Sequence, residues 1–162
     1  MSEKILVVAA HPDDEILGCG ATIAKKVQKE KAEVSILILS KGILSRNKIK
    51  NKKKSINNNL DAAKKAGKYL GVKNIKMLNL KDNELDSYTK LSIIKKIEQE
   101  IDRVKPNTIY THFNGDLNID HQIISECVIT ATRPIKNTNL NKIYFFEVLS
   151  STDFNFGKKK KI

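Results

Sequence analysis

The sequence predicts an α/β fold, a three-layer Rossmann-like sandwich built on a mostly parallel sheet. Three observations carry that prediction: apolar runs of strand length, amphipathic stretches of helix length, and their alternation along the chain. With 162 residues, 40% hydrophobic and 30% charged, the chain is the size of one domain and can enclose a core. We expect that domain to cover 1–157, followed by a lysine-rich tail at 158–162.

Lys4–Ala10 is a short continuous apolar run, as expected of a strand covered on both faces in a parallel sheet. It ends at His11-Pro12. Pro12 biases His11 toward an extended conformation and suits the first turn of a helix, and Asp13, Asp14 and Glu15 supply the acidic start that a helix dipole favours. From Ile16 to Lys31, residues Ile16, Leu17, Ile23, Ala24 and Val27 share one helical face, while Gly18 and Gly20 weaken the helix opening and permit close packing. A second strand at Glu33–Ser40 completes a βαβ unit. Lys41–Asn59, polar and weakly periodic, reads as an extended loop, and Leu60–Leu70 as a helix stopped at Gly71. Further strands are predicted at Ile75–Asn79, Thr108–Thr111 and Lys142–Leu149, with helices at Thr89–Val104 and Ile119–Thr132. Binding sites of such sheets form just beyond the carboxyl ends of the strands.

The net charge of +12 is concentrated in two tracts. Residues 41–65 hold nine Lys or Arg against one Asp, Lys158–Lys161 add four more, and the rest of the chain is balanced. Arginine, the usual partner of phosphates and base edges, occurs only at 46, 103 and 133, and the tracts lack interleaved aromatics, so no nucleic-acid partner is expected. Cys19 and Cys127 form no C-x-x-C pair, which fits a reducing, cytoplasmic setting; Cys19 reads as a small buried residue. No apolar run approaches the roughly 20 residues of a membrane span, and the N-terminus lacks signal-peptide features.

Two polar clusters fall at strand ends. In the first, Ala10-His-Pro-Asp-Asp-Glu15, His11 and Asp14 can converge on one metal while Asp13 faces a bound water; an acidic helix start after a strand-ending histidine explains the same residues taken alone. In the second, Thr111-His-Phe-Asn-Gly-Asp-Leu-Asn-Ile-Asp-His121, His121 can supply a third ligand to the open His/His/carboxylate set of catalytic zinc. Asp120 is placed to fix an imidazole's orientation or tautomer. His112 alone reads more simply as a satisfied histidine at a strand end.

The strand followed by A-H-P-D-D-E and the later G-D-x-x-x-D-H resemble the PIG-L (LmbE-like) superfamily of metal-dependent de-N-acetylases, in its bacterial sugar-pathway branch. The likeness runs from Lys4 to Phe156. It implies that His11, Asp14 and His121 bind zinc and that Asp13 is the general base, with metal-activated water attacking an acetamide carbonyl to release acetate and a free amino sugar. The implied substrate is an N-acetylamino sugar or its nucleotide- or lipid-linked conjugate, whose phosphate would suit the basic loop, although a loop of solvated lysines explains that tract equally well. Two imidazoles and a carboxylate also suit iron(II) or another divalent metal. A homo-oligomer is compatible with the sequence.

The resemblance has two departures. Where family members commonly carry an oxyanion-stabilising histidine three residues before the last ligand, this chain has Asn118, so either His112 substitutes or the metal does more of the work. Family members also continue for tens of residues beyond the segment matched by Glu147–Thr152, whereas here a lysine run follows, where a frameshift or early stop would be written. The alternative expectation is therefore a truncated metal- or sugar-binding homologue with little turnover.

Overall fold

The computed structural model describes residues 2–42, 52–134 and 139–152. Most of the first basic tract's loop, at 43–51, and the lysine tail at 158–162 lie outside them. The element order is β1 (Lys4–Ala9), α1 (Asp14–Gln28), β2 (Glu33–Ser40), α2 (Lys52–Leu70), β3 (Asn74–Leu80), a 3-10 turn (Leu85–Ser87), α3 (Lys90–Val104), β4 (Thr108–His112), α4 (Ile119–Ala131), β5 (Lys142–Phe146) and α5 (Leu149–Thr152). Five strands form one sheet in the order β3-β2-β1-β4-β5, and every pairing is parallel. The expected α/β sandwich is therefore the fold.

Parallel strands buried on both faces alternate their side chains between two cores. Leu6, Val8, Leu37 and Leu39 meet Ile93, Ile97 and Ile124 of α3 and α4, whereas Ile5, Val7, Ile36 and Ile38 pack with Ile23 of α1 and Ala63 of α2. Successive residues of one strand thus hold helices on opposite sides of the sheet.

The expected elements shift at their ends for local reasons. Helix α2 begins at Lys52, so the loop expected over Lys41–Asn59 is corrected for 52–59. Asn59 Nδ2 donates to the carbonyls of Lys41 and Gly42 at 3.1 and 3.3 Å, tying the opening of α2 to the end of β2 by a contact that periodicity does not register. Strand β5 ends at Phe146 instead of Leu149, because the chain turns into α5. Gly71 does end α2: its φ is +75°, and Val72 N–H returns to the Gly67 carbonyl at 2.8 Å. Thr89 caps α3 by accepting from the Ser92 amide.

Helix α1 is kinked at Cys19 (φ −143°, ψ 18°), between Gly18 and Gly20. There the helix passes close to Phe146 of β5: a Cβ on Gly18 would lie 2.2 Å from the ring. Both cysteines are buried and free. Among the described residues, no helix is long and apolar enough to cross a membrane.

Candidate active site

Strand order reverses between β1 and β4, so the loops leaving their carboxyl ends diverge to opposite faces and open a crevice. His11 and Asp14 enter from the β1–α1 turn, and His121 from the first turn of α4. Their ligand atoms form a compact triangle. His11 Nδ1 lies 3.2 Å from Asp14 Oδ2, His121 Nε2 lies 3.3 Å from the same oxygen, and the two nitrogens are 3.4 Å apart. Ligands about 2.0–2.1 Å from a tetrahedral cation are about 3.3–3.4 Å from one another. The triangle therefore has the dimensions of one face of such a tetrahedron, and the donor set fits a divalent metal.

Each histidine presents the correct nitrogen because its other nitrogen is held by carboxylate. His11 Nε2 is 3.0 Å from Asp120 Oδ2 and 3.1 Å from Asp82 Oδ1. Asp120 is itself fixed by the amides of Asn83 and Leu85, at 2.8 and 3.0 Å. His121 Nδ1 is 3.1 Å from Asp116 Oδ2. Asp120, expected to orient an imidazole, thus lies against His11, and Asp116 lies against His121.

Asp13 stands at the start of α1 with φ 110° and ψ −27°, a conformation that costs a non-glycine residue about 1–3 kcal/mol. Buried Glu15 braces the turn, its Oε2 accepting from the Asp13 amide at 3.1 Å. Asp13 is exposed and, with Pro12, Ile16, Leu17, Asn59 and Ala63, lines a cleft of about 320 Å3 between α1 and α2.

His112 and Asn118, the two candidates for oxyanion stabilisation, both have partners in the structure. His112 is fully buried; its Nε2 accepts from the Ala10 amide at 2.9 Å, and its ring stacks on His121 (centroids 3.9 Å) and tilts against Phe146 (4.7 Å). Asn118 caps α4, its Oδ1 accepting from the Asp120 amide at 2.8 Å while Nδ2 donates to Asn83 Oδ1 at 3.1 Å. His112 is a packing surface behind the ligands, and Asn118 keeps one amide hydrogen beyond its Asn83 bond.

The protonation pattern follows from these contacts. Burial alone would depress the His11 imidazole, but hydrogen bonds with Asp120 and Asp14 and the charges of Asp14 and Asp82 outweigh it and push its pKa up to about 10. Burial would raise Asp14, yet hydrogen bonds from His11 and His121 hold it far below the carboxylate range. For His121, Asp14 and Asp116 overcome burial and raise the pKa. Burial and the neighbouring His121 charge depress His112 to about 3, keeping that ring neutral. Glu15 rises to about 7, through burial and then the charges of Asp14 and Asp13.

Comparison with known proteins gives the family and the fold. The model of the PIG-L family, GlcNAc-PI de-N-acetylase, matches residues 6–132. The chain belongs to the PIG-L family. Among curated relatives, a Bacillus subtilis (strain 168) protein named "Probable N-acetyl-alpha-D-glucosaminyl L-malate deacetylase 2" is 29% identical over 144 residues, covering 81% of this chain and 61% of the relative. Solved structures show the same fold. A conserved protein of Thermus thermophilus aligns with TM-score 0.73 and 23% identity over 90% of this chain and 66% of its own. The N,N'-diacetylchitobiose deacetylase of Pyrococcus horikoshii aligns with TM-score 0.73 and 22% identity over 85% of this chain and 53% of its own. This PIG-L chain spans about three fifths of the curated relative it matches.

Asp82, Asp116, Glu15 and Ser151 were not assigned a role by the sequence. Asp82 follows β3, so the strand-end rule that singled out the other clusters also points to it. Asp116 is the first Asp of the G-D-x-x-x-D-H motif but is given no role of its own by it, and Ser151 reaches the site from a remote element.

Proposed function

We propose that the chain is a zinc-dependent hydrolase that removes the N-acetyl group of an N-acetylamino sugar, or of its nucleotide- or lipid-linked conjugate, in the cytoplasm. The observation that carries this reading is the His11–Asp14–His121 triangle of 3.2–3.4 Å edges, with Asp13, the residue before Asp14 in the same turn, lining the cleft between α1 and α2. Membership of the PIG-L family and the deacetylase names of its relatives support it.

When bound there, zinc would polarise the acetamide carbonyl and lower the pKa of a water. Asp13 accepts the proton of the attacking water as the new C–O bond forms. It then returns that proton to the amine as the C–N bond breaks, leaving acetate and a free amino sugar. The strained backbone at Asp13, braced by Glu15, holds this carboxylate at the lip of the cleft. Asn118 offers its remaining amide hydrogen to the developing oxyanion. Neutral His112 keeps the His121 ring in place from behind. The lysines of 41–65 would attract a phosphate on the conjugate, an effect that high salt should weaken.

The experiment is acetate release from a panel of N-acetylamino sugars, free and nucleotide-linked, by zinc-loaded protein and by Asp13→Ala. Metal-dependent release that disappears in the variant is expected. Zinc bound stoichiometrically with no release from any substrate would overturn the hydrolase reading.

A further inference from the structure

We infer that Ser151 is a positioning residue for the third metal ligand: through Asp116 it sets the tautomer and orientation of His121. The inference rests on the metal reading above and deepens it.

Asp116 is fully buried, and both its oxygens are held. Oδ1 accepts from the Asn118 amide at 2.8 Å, at the cap of α4. Oδ2 lies 3.0 Å from Ser151 Oγ and 3.1 Å from His121 Nδ1. The carboxylate is therefore oriented from two directions, by the helix that carries His121 and by α5, which arrives from the far edge of the sheet.

Ser151 has one hydroxyl proton and, among the described residues, three acceptors within reach: Asp116 Oδ2 at 3.0 Å, the Val148 carbonyl at 3.3 Å and His121 Nδ1 at 3.4 Å. The choice among them has a consequence at the metal triangle. A neutral imidazole that accepts at Nδ1 carries its proton on Nε2 and has no lone pair there to ligate with. The Asp116 carboxylate oxygen is the nearest of the three acceptors, so the serine proton goes to it. His121 then donates from Nδ1 to the same oxygen and turns the Nε2 lone pair toward Asp14 and His11.

The same corner also supports the face of the ring. Phe146, the last residue of β5, packs on His112, which stacks on His121. The β5–α5 segment thus backs His121 at one remove, through His112 on its face and through Asp116 at its edge, and metal affinity is coupled to the docking of this segment.

The test compares the chain with Ser151→Ala, Ser151→Thr and Asp116→Asn. Zinc affinity is measured by competition with a chromophoric chelator, the visible spectrum of the cobalt(II)-loaded protein reports ligand geometry, and circular dichroism with thermal unfolding reports folding. We expect Ser151→Ala to weaken zinc about tenfold and to alter the cobalt spectrum, and Asp116→Asn to weaken zinc about 10- to 100-fold. Ser151→Thr, which restores the hydroxyl, should return both readouts toward the parent. Unchanged zinc affinity and cobalt spectrum in Ser151→Ala would overturn the inference, also where its melting temperature falls, since that pattern marks a merely structural serine. Should Asp116→Asn fail to fold, the two Ser151 variants decide. A parent chain that binds neither metal overturns the metal reading and this inference together; tight, identical binding by parent and Ser151→Ala overturns this inference alone.

Discussion

Gly18→Ala pits helix propensity against packing, and the structure decides the sign. On propensity alone the change should stabilise α1 by up to about 1 kcal/mol. That gain is reduced here, because the next residue, Cys19, has non-helical φ and ψ. Against it stands Phe146: the added Cβ would lie 2.2, 2.8 and 2.9 Å from Cδ2, Cε2 and Cγ of the ring. Restoring ordinary carbon–carbon contact requires a ring movement of roughly 1.3 Å or more. The ring cannot retreat freely, because His112 packs on it at 4.7 Å and stacks in turn on His121 at 3.9 Å. Overpacking of this kind costs about 1–3 kcal/mol. We therefore expect a net loss of about 1–2 kcal/mol, a fall in Tm of about 2–8 °C for a chain of this size, and weaker zinc binding. Thermal unfolding of the metal-free protein, with Phe146→Leu and the double variant completing a cycle, measures it. A Gly18→Ala chain as stable as the parent, or two losses that simply add, would refute the reasoning.

The other predictions concern the turn, the metal and the core. At position 13 the positive φ favours glycine, so Asp13→Gly should be more stable than Asp13→Ala by about 1 kcal/mol in urea denaturation while both lose acetate release; equal stabilities would mean the turn is unstrained. Zinc affinity should rise with pH: His11, its pKa pushed up to about 10, is protonated at neutrality and must release that proton to ligate, whereas Asp14 is already ionised and adds no dependence. Each displaced proton gives about tenfold tighter binding per pH unit near neutrality, and titration calorimetry in buffers of different ionisation enthalpy should show proton release; a flat profile contradicts the assignment. Ile124→Ala removes a fully buried side chain of α4 and should cost about 2–5 kcal/mol with an unchanged denaturant slope. A loss of less than about 1 kcal/mol would mean that α4 does not seal this face of the sheet.

Legibility followed the range of the interactions involved. Strands β1 and β2 are uninterrupted apolar runs whose two-sided burial is written in composition, so their bounds were readable to within a residue. The opening of α2 was not readable, because lysines, asparagines and a serine become helical there in a tertiary setting that includes the Asn59 contacts with Lys41 and Gly42. At the site, His11 and Asp14 share one turn and His121 opens a helix beside the neighbouring strand, so strand-end position drew attention to all of them. Asp82 lies in the connection after β3 and Ser151 in α5, and no spacing relates either to the histidine beside it.

The sequence by itself determined the fold class and the chemical character of the site, because hydrophobic period and strand-end placement are local properties that survive without coordinates. The tertiary structure decided which carboxylate lies against which imidazole: Asp120 and Asp82 against His11, and Asp116, itself bonded by Ser151, against His121. It also placed His112 as a neutral packing surface, fully buried between His121 and Phe146. Those assignments depend on differences of a few tenths of an ångström between groups as many as 109 residues apart. Only the packing of α4, α5 and the β3–α3 connection around the ends of β1 and β4 sets such distances, and a one-dimensional pattern carries no record of them.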